Sequence, residues 1–239
     1  MFRSAVKRVI RSAGYELKRY VQPQTESPPL IRMLSWWHVN LVLDVGANAG
    51  QFASSLRKAG YTGRIVSFEP LAEPWQKLNE ASRGDELWEV APRGAIGAED
   101  GELEIHVAGN SWSSSALGML DAHLRIAPDS KYVSSERVPL QRLDSAASSY
   151  LRSDSVLLIK ADVQGFEGEV LKGAKELLKA AVGLHLELSF VPLYEGQYAY
   201  DQLIVDMKNA GFTIWSLEPE YIEQESGRMA WGAGVFFRG

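Results

Sequence analysis

Short apolar runs alternate with amphipathic segments along most of this chain. Runs rich in Val, Ile and Leu predict strands, and apolar residues spaced three and four apart predict helices. The predicted strands cover residues 41–45, 64–68, 87–91, 155–162, 183–189, 212–217 and 234–237, and the predicted helices cover 49–59, 72–82, 166–180 and 198–210. Because strands that alternate with helices pair in parallel through right-handed crossovers, the pattern predicts an α/β fold.

The last two predicted strands break this alternation. No helical pattern long enough for a parallel crossover lies between 212–217 and 234–237, so these two strands are expected to pair antiparallel. The run at 155–162 is almost continuously apolar, which indicates a strand covered on both faces. The sequence therefore predicts a seven-stranded, mostly parallel sheet with an antiparallel last strand.

An insertion interrupts the middle of the chain. Residues 103–107 alternate between apolar and polar side chains, residues 138–140 do so weakly, and the two segments predict a β-hairpin that projects from the sheet. Between them lies a polar stretch, 109–136, which is read as one long loop. Loops of this length in compact domains are typical of lids and binding loops.

The first 29 residues differ from the rest in composition. Residues 1–20 carry six Lys and Arg side chains against the single acid Glu16, with apolar residues at helical spacing, and a Pro-rich linker follows. We therefore divide the chain into a basic amphipathic helix with its linker, 1–29, and a main domain, 30–239. The helix either contacts an anionic membrane surface or packs on the main domain or on another subunit. In the last case the protein would form a homo-oligomer.

Composition narrows the class of protein. Of the 239 residues, 46% are hydrophobic and 23% are charged, which is typical of a globular domain. Without cysteine the chain has no disulfides, thiolate metal sites or cysteine nucleophiles. No apolar run is long enough to cross a membrane. We expect a cytoplasmic protein, peripheral at the inner face of the membrane if residues 1–20 bind lipid, and no nucleic-acid partner.

The strand at 41–45 leads into a turn that is typical of nucleotide cofactor sites. Its distinctive residues are Asp44, Gly46, Ala47, Asn48 and Gly50. A dinucleotide fingerprint requires glycine where this chain has Asn48 and Gln51. Asp44 would repel a pyrophosphate and attract a cationic methionine group, so S-adenosylmethionine fits better than NAD.

An acidic residue ends the next strand. Glu69, followed by Pro70, stands at the tip of the strand at 64–68. A carboxylate there can accept hydrogen bonds from both hydroxyls of a ribose. The two strand ends together predict an adenosine pocket.

Two carboxylates are candidates for proton transfer. Asp162 lies at the carboxyl end of the fourth parallel strand, where open α/β sheets bind ligands, and is the leading base or orienting residue. Its alternative role is to cap the following helix or to contact the amine of the cofactor. Glu187, a charged residue in an apolar strand, is the second candidate, whereas His185 lies deeper and is read as structural. A divalent metal held by these three residues is possible but not favoured, because no compact ligand motif is present.

The combination of motifs resembles the FkbM family of methyltransferases. The matching segments are Asp44 to Gly50, Phe68-Glu69-Pro70, Ala95-Ile96-Gly97, Ser113-Ser114-Ser115, Ile159 to Glu167 and Val170 to Ala174. The resemblance implies a class I, Rossmann-like methyltransferase fold, S-adenosylmethionine as cofactor, and adenine contacts at Ala95 and Ile96. The chain departs from the family at Gln164, where members often have Glu, and at Pro92-Arg93-Gly94.

The resemblance also directs the prediction of acceptor contacts. Trp112, Ser113 and Ser114 offer an aromatic face and hydroxyls that suit a sugar, and Tyr194 leaves the strand at 183–189 at the same edge. We therefore predict O-methylation of a hydroxyl on a sugar, glycolipid, polysaccharide or natural product. Two alternatives stay open, an NAD-dependent oxidoreductase or epimerase and a noncatalytic binding module recruited to membranes.

Overall fold

The computed structural model describes residues 29–239, which form an α/β fold around a central sheet. Its strands are β1 (Leu41–Val45), β2 (Arg64–Phe68), β3 (Trp88–Val90), β4 (Ala95–Gly97), β5 (Gly101–Ala108), β6 (Tyr132–Arg142), β7 (Leu157–Ala161), β8 (Gly183–Ser189), β9 (Phe212–Ile222) and β10 (Met229–Arg238). The segment 1–20 and its linker, apart from Pro29, lie outside the described residues.

The helices of residues 29–239 connect and cover these strands. They are α1 (Pro29–Trp36), α2 (Gln51–Lys58), α3 (Ala72–Ala81), α4 (Asp121–Ile126), α5 (Leu143–Ala146), α6 (Glu167–Lys172), α7 (Lys175–Ala180) and α8 (Tyr200–Asn209). The single helix predicted for 166–180 is wrong, since α6 and α7 are separated at Gly173 and Ala174. A Cβ at Gly173 would lie 1.9 Å from the carbonyl oxygen of Gly97, so only glycine allows the chain to pass so close to β4.

The central sheet confirms the predicted topology. Its seven strands, as described, run in the order β3-β2-β1-β7-β8-β10-β9. β10 pairs antiparallel with both β8 and β9, and the other pairs are parallel. The predicted antiparallel last strand is therefore correct, and it lies between β8 and β9 rather than at the edge.

The insertion forms a second sheet in the order β4-β6-β5. β5 and β6 pair antiparallel, as predicted, and β6 is longer than expected because it starts at Tyr132. β4 adds a parallel strand that the sequence pattern did not reveal, because three residues are too few to show a period. The single loop predicted for 109–136 is wrong as well, since it contains α4, a short 3-10 helix and the start of β6.

The core places the carboxyl ends of the parallel strands at one edge. All residues of β1 and β7 are buried, as expected for strands covered on both faces. Leu41, Leu43 and Val45 pack on one side with the cluster that includes α6 to α8, and Val42 packs on the other side. The turns after β1, β2, β7 and β8 consequently meet at the edge where ligands bind in open α/β sheets.

Candidate active site

A cavity of about 740 Å³ opens at this edge of the sheet. Pockets for small ligands and cofactors have volumes of roughly 300–1,000 Å³. The walls come from the turns after β1, β2 and β7, from Glu187 near the end of β8, and from the insertion between β4 and β6. The site thus has the size and position of a small-molecule site.

The turn after β1 depends on two glycines. Gly46 and Gly50 have φ values of 75° and 86°, which favour glycine. A Cβ at Gly46 would lie 1.9 Å from the carbonyl oxygen of Asp162, and one at Gly50 would lie 2.8 Å from the Trp88 ring. Gly46, Ala47 and Asn48 line the cavity, whereas Gly50 does not and instead packs the turn against Trp88.

Glu69 is buried beside this turn and lines the cavity. One carboxylate oxygen accepts the backbone N–H of Asn48 at 2.8 Å, and the other accepts that of Leu71 at 2.9 Å. Burial raises the pKa of Glu69 to about 7, although these two hydrogen bonds oppose the shift. Each oxygen keeps a further lone pair, so the carboxylate can also accept a diol from a ligand.

Asp44 does not line the cavity. Its side chain is fully buried, with Lys160 Nζ 3.1 Å from one oxygen and Ser67 Oγ donating to the other at 3.1 Å. Lys160 also donates to the carbonyl oxygen of Gly46 at 2.9 Å. Burial would lower the pKa of Lys160, but the carboxylates of Asp44 and Asp162 outweigh burial and raise it. Asp44 therefore anchors the turn through Lys160, which itself lines the cavity.

Asp162 and Glu187 lie together at the cavity floor and are bridged by Gln164. The Gln164 amide nitrogen is 2.9 Å from Asp162 Oδ1 and 3.0 Å from each oxygen of Glu187. The Tyr194 hydroxyl donates to the Gln164 carbonyl oxygen at 2.7 Å, which fixes the direction of the amide. Tyr194 does not line the cavity and supports its floor from behind.

The environments of the two carboxylates differ. The Asp162 side chain is 40% exposed and lies 3.8 Å from Lys160 Nζ, whereas Glu187 is only 7% exposed. Burial raises the pKa of Glu187 well above its ordinary value, and the charges of Asp162 and Glu167 add to the effect.

The N-terminus of α6 has no side-chain cap. Glu167 instead accepts the backbone N–H groups of Val163 and Gly165, so Asp162 is free of that role.

His185 has a separate place in the structure. It is buried, packs its ring 5.1 Å from that of Phe52 and does not line the cavity. Burial lowers the pKa of His185 to about 4, so the side chain is neutral at physiological pH. The imidazole is part of the sheet interior, where Lys160 and Asp162 are the charged groups that act on it.

The serine cluster holds its own loop together. Ser113 Oγ lies 2.9 Å from Ser130 Oγ, and Ser114 Oγ donates to the carbonyl oxygen of Ser111. Ser113, Ser114 and Trp112 all line the cavity, and the Trp112 side chain is 64% exposed at its mouth. The hydroxyls therefore shape the loop, and the aromatic ring is the group left open to a ligand.

Several further cavity residues were not predicted from the sequence, among them His123, Glu220 and Trp231. His123 on α4 is 2% exposed and packs between the rings of Tyr194 at 5.1 Å and Trp231 at 6.0 Å. Its Nδ1 is buried without a hydrogen-bond partner, and burial lowers its pKa. Glu220 and Trp231 come from β9 and β10. They lie in segments whose sequence patterns gave no functional signal.

Part of the cavity lining is apolar. Phe68, Leu71, Ala95, Ile96 and Ile105 form it, together with Pro70 and Leu103. An adenosyl group needs apolar contacts for its adenine, a carboxylate for its ribose hydroxyls and a glycine turn that allows close approach, and these features lie side by side here. The residues present therefore fit S-adenosylmethionine.

A family model described as the methyltransferase FkbM domain matches residues 44–214, which include the end of β1, the strands β2, β7 and β8, and the insertion. The chain belongs to this family. It is an S-adenosylmethionine-dependent methyltransferase, and its sheet has the class I arrangement that the resemblance implied. When bound, the cofactor supplies an electrophilic methyl group on a sulfonium.

Individual relatives are distant. The chain is 28% identical over 167 residues to a protein of Sinorhizobium fredii (strain NBRC 101917 / NGR234) named 2-O-methyltransferase NoeI, and the match covers 66% of each chain. Among solved structures it is similar to magnesium protoporphyrin IX methyltransferase (ChlM) from Synechocystis PCC 6803, with 12% identity, a TM-score of 0.48 and coverage of 99% of this chain and 96% of that one. TehB from Haemophilus influenzae has 12% identity and a TM-score of 0.47, with coverage of 88% and 61%.

Two kinds of feature are absent from residues 29–239. No group of three or more His, Asp or Glu side chains in this part of the chain is arranged to hold a metal ion. None of its helices is long and apolar enough to cross a membrane.

Proposed function

We propose that this enzyme transfers the methyl group to oxygen, on a hydroxyl of a sugar-containing acceptor such as a glycolipid, polysaccharide or glycosylated natural product. The observation that carries the proposal is the floor of the cavity, where an open carboxylate, Asp162, stands beside the buried Glu187. A carboxylate within reach of an alcohol can remove its proton as the new bond forms, which contributes about 10²–10⁴ in rate. The relative named 2-O-methyltransferase supports oxygen as the acceptor atom.

The cofactor is assigned to the wall formed by the turns after β1 and β2. We propose that Gly46, Ala47 and Asn48 face the methionine part, and that Glu69 accepts the ribose hydroxyls beside Pro70. Ala95 and Ile96 then cover the adenine. Asp44 and Gly50 act on the cofactor only indirectly, through Lys160 and through the packing against Trp88.

The acceptor is assigned to the remaining space, between the floor and the mouth. An exposed aromatic ring such as Trp112 can stack on the apolar face of a pyranose while polar groups bind its hydroxyls. His123 and Glu220 supply such groups on the wall. Ser113, Ser114 and Tyr194 contribute by holding the loop and Gln164 in place.

Binding of S-adenosylmethionine and NAD by isothermal titration calorimetry tests the cofactor half of the proposal. We expect binding of the former and none of NAD. Glu69→Ala should weaken the binding of S-adenosylmethionine by about 10–100-fold, because each hydrogen bond to a charged group contributes about 1.5–3 kcal/mol. The matched control is Glu73→Ala, whose exposed carboxylate pairs only with Lys77, and it should bind normally. Equal affinity of both variants would remove Glu69 from the cofactor site.

The acceptor half is tested with extracts. Glycolipids and polysaccharides from cells with and without the enzyme are compared by mass spectrometry for a gain of one CH₂ group. We expect this gain on a hydroxyl of a sugar residue. A methyl group found only on nitrogen or carbon would contradict O-methylation.

A further inference from the structure

Gln164 lies in the turn after β7, and the polar groups of its side chain are all hydrogen-bonded. The backbone φ of 57° turns the side chain back towards β7 and β8. Its backbone carbonyl accepts the Ser115 hydroxyl at 2.6 Å, and its side-chain carbonyl accepts Tyr194. The amide nitrogen is left to donate one hydrogen to Asp162 and the other to Glu187.

The carboxylates of Asp162 and Glu187 lie in different environments. Asp162 lies near the cation of Lys160 and opens into the cavity. Glu187 is buried, and its hydrogen-bond donor among residues 29–239 is the neutral amide of Gln164. A buried carboxylate without a cationic partner favours its neutral form, and a second negative charge nearby strengthens that preference.

We propose that Gln164 is a positioning residue that ties the two carboxylates together, that the buried Glu187 keeps its proton because it has no cation beside it, and that Asp162, which opens into the cavity, serves as the base. The proposal deepens the proposed function and rests on it. The acceptor hydroxyl gives its proton to Asp162, the oxygen–methyl bond forms, and the methyl–sulfur bond breaks with its electron pair remaining on sulfur. A glutamate at 164 would add a third negative charge to the floor and would donate no hydrogen when ionised.

The groups around the pair set its pH dependence. Facing it are Glu167 of α6, Glu220 of β9, His185 of β8, Lys160 of β7 and the Tyr194 hydroxyl. The desolvated Glu187, whose pKa lies well above its ordinary value, is consistent with the neutral role. Since Lys160 is the nearby cation and is already bonded to Asp44, a further acid at 164 would have no cation of its own.

The first test measures the protonation of the Glu187 carboxyl and does not require methyl transfer. Infrared spectra of the full chain at pH 8.5 are compared with those of Glu187→Gln and Asp162→Asn. We expect a protonated carboxyl band that disappears in Glu187→Gln and persists in Asp162→Asn. The absence of such a band in the wild type, or its loss in Asp162→Asn alone, would overturn the proposal even if no acceptor were known.

The second test reads kcat and KM against pH, with a methyl glycoside of a neutral hexose or deoxyhexose that the wild type methylates. We expect Asp162→Asn to lose at least about 100-fold in kcat, because it removes the base. Gln164→Glu should move the acidic limb of the kcat profile to higher pH, because the added charge makes Asp162 harder to ionise. Gln164→Met, which removes the donors without adding charge, should lower kcat and move the limb in the same direction by a smaller amount.

The matched control is Gln202→Glu. Gln202 also donates its amide to a carboxylate, that of Asp206, but it lies exposed on α8. Its profile should equal that of the wild type. A merely structural Gln164 would give Met and Glu variants with equal losses and unshifted profiles, which contradicts the assignment. Normal binding of S-adenosylmethionine by all variants shows that they are folded, and absence of that binding in the wild type would instead contradict the proposed function.

Discussion

At the scale of single residues, the sequence predicted side chains that the structure places in one cavity, but it did not reveal the links between them. Asp162 and Glu69 were predicted from their positions at the carboxyl ends of parallel strands, and Glu187 because a charge within an apolar strand needs a partner or a ligand. Asp44 was expected to face the methionine group, yet it is buried against Lys160. The pairing was not predictable, because it depends on the register that sets Asp44 opposite Lys160 across β1 and β7.

The signal for Lys160 was nevertheless present. A lysine within the apolar run from Leu157 to Ala161 has to find an anion, since burying an unpaired ammonium is very costly. His123, by contrast, lay in a polar segment with no periodicity, so its position in the wall follows only from the tertiary packing of α4. Sequence reasoning detects a misplaced charge more readily than a correctly placed histidine.

The buried pair of Asp44 and Lys160 can be tested by stability. Lys160→Met should lower the free energy of unfolding by about 3–5 kcal/mol, because it leaves Asp44 charged and buried without its cation. Urea denaturation followed by circular dichroism measures this loss. Lys172→Met is the control, since its pair with Glu169 is exposed and contributes no more than about 1 kcal/mol. Adding Asp44→Asn to Lys160→Met should restore part of the lost stability. If the double variant is instead less stable than Lys160→Met, the pairing of Asp44 with Lys160 is contradicted.

At the scale of elements, the long periodic segments were predicted well. The parallel strands and the helices next to them begin and end within a few residues of the predicted bounds. The failures fall where tertiary contacts override the local pattern. The residues from 166 to 180 have a helical pattern throughout, but the close approach of Gly173 to Gly97 splits them into α6 and α7.

That close approach gives a prediction for β4. Gly173→Ala should destabilise the protein by about 1–3 kcal/mol, since the new Cβ would overlap the Gly97 carbonyl oxygen and force β4 to move. Gly101→Ala is the matched control, because nothing lies within 4 Å of a Cβ there and its backbone does not require glycine. Urea unfolding of both variants measures the difference. Equal stabilities would show that the contact between Gly173 and β4 is loose.

At the scale of the whole molecule, buried acids should make stability depend on pH. Burial raises the pKa values of Glu69 and Glu220 to about 7, and that of Glu167 likewise. The folded state therefore binds more protons than the unfolded state between the ordinary value of 4.5 and about 7, and its stability falls as the pH rises through that window. His185, with a folded pKa of about 4, acts in the opposite direction only below its ordinary value of 6.5.

The net effect of these groups on stability is clearest above pH 6.5, where His185 no longer contributes to the pH dependence. We expect the Tm to fall between pH 6.5 and pH 8 in the absence of ligand. Glu69→Gln should flatten this slope, because it removes a group whose shift corresponds to about 3 kcal/mol over the full window. Differential scanning calorimetry at several pH values measures the slope. A Tm that rises over this range in the wild type would contradict the expected sign of the pH dependence.

The strand order also has a consequence for how the polypeptide is made. β10 fills the gap between β8 and β9, so β9 emerges from the ribosome before the strand that joins it to the sheet exists. Until β10 has paired, β8 has an open edge on the side away from β7. We infer that a chain truncated before Met229 leaves β8 as an open edge strand, which favours aggregation.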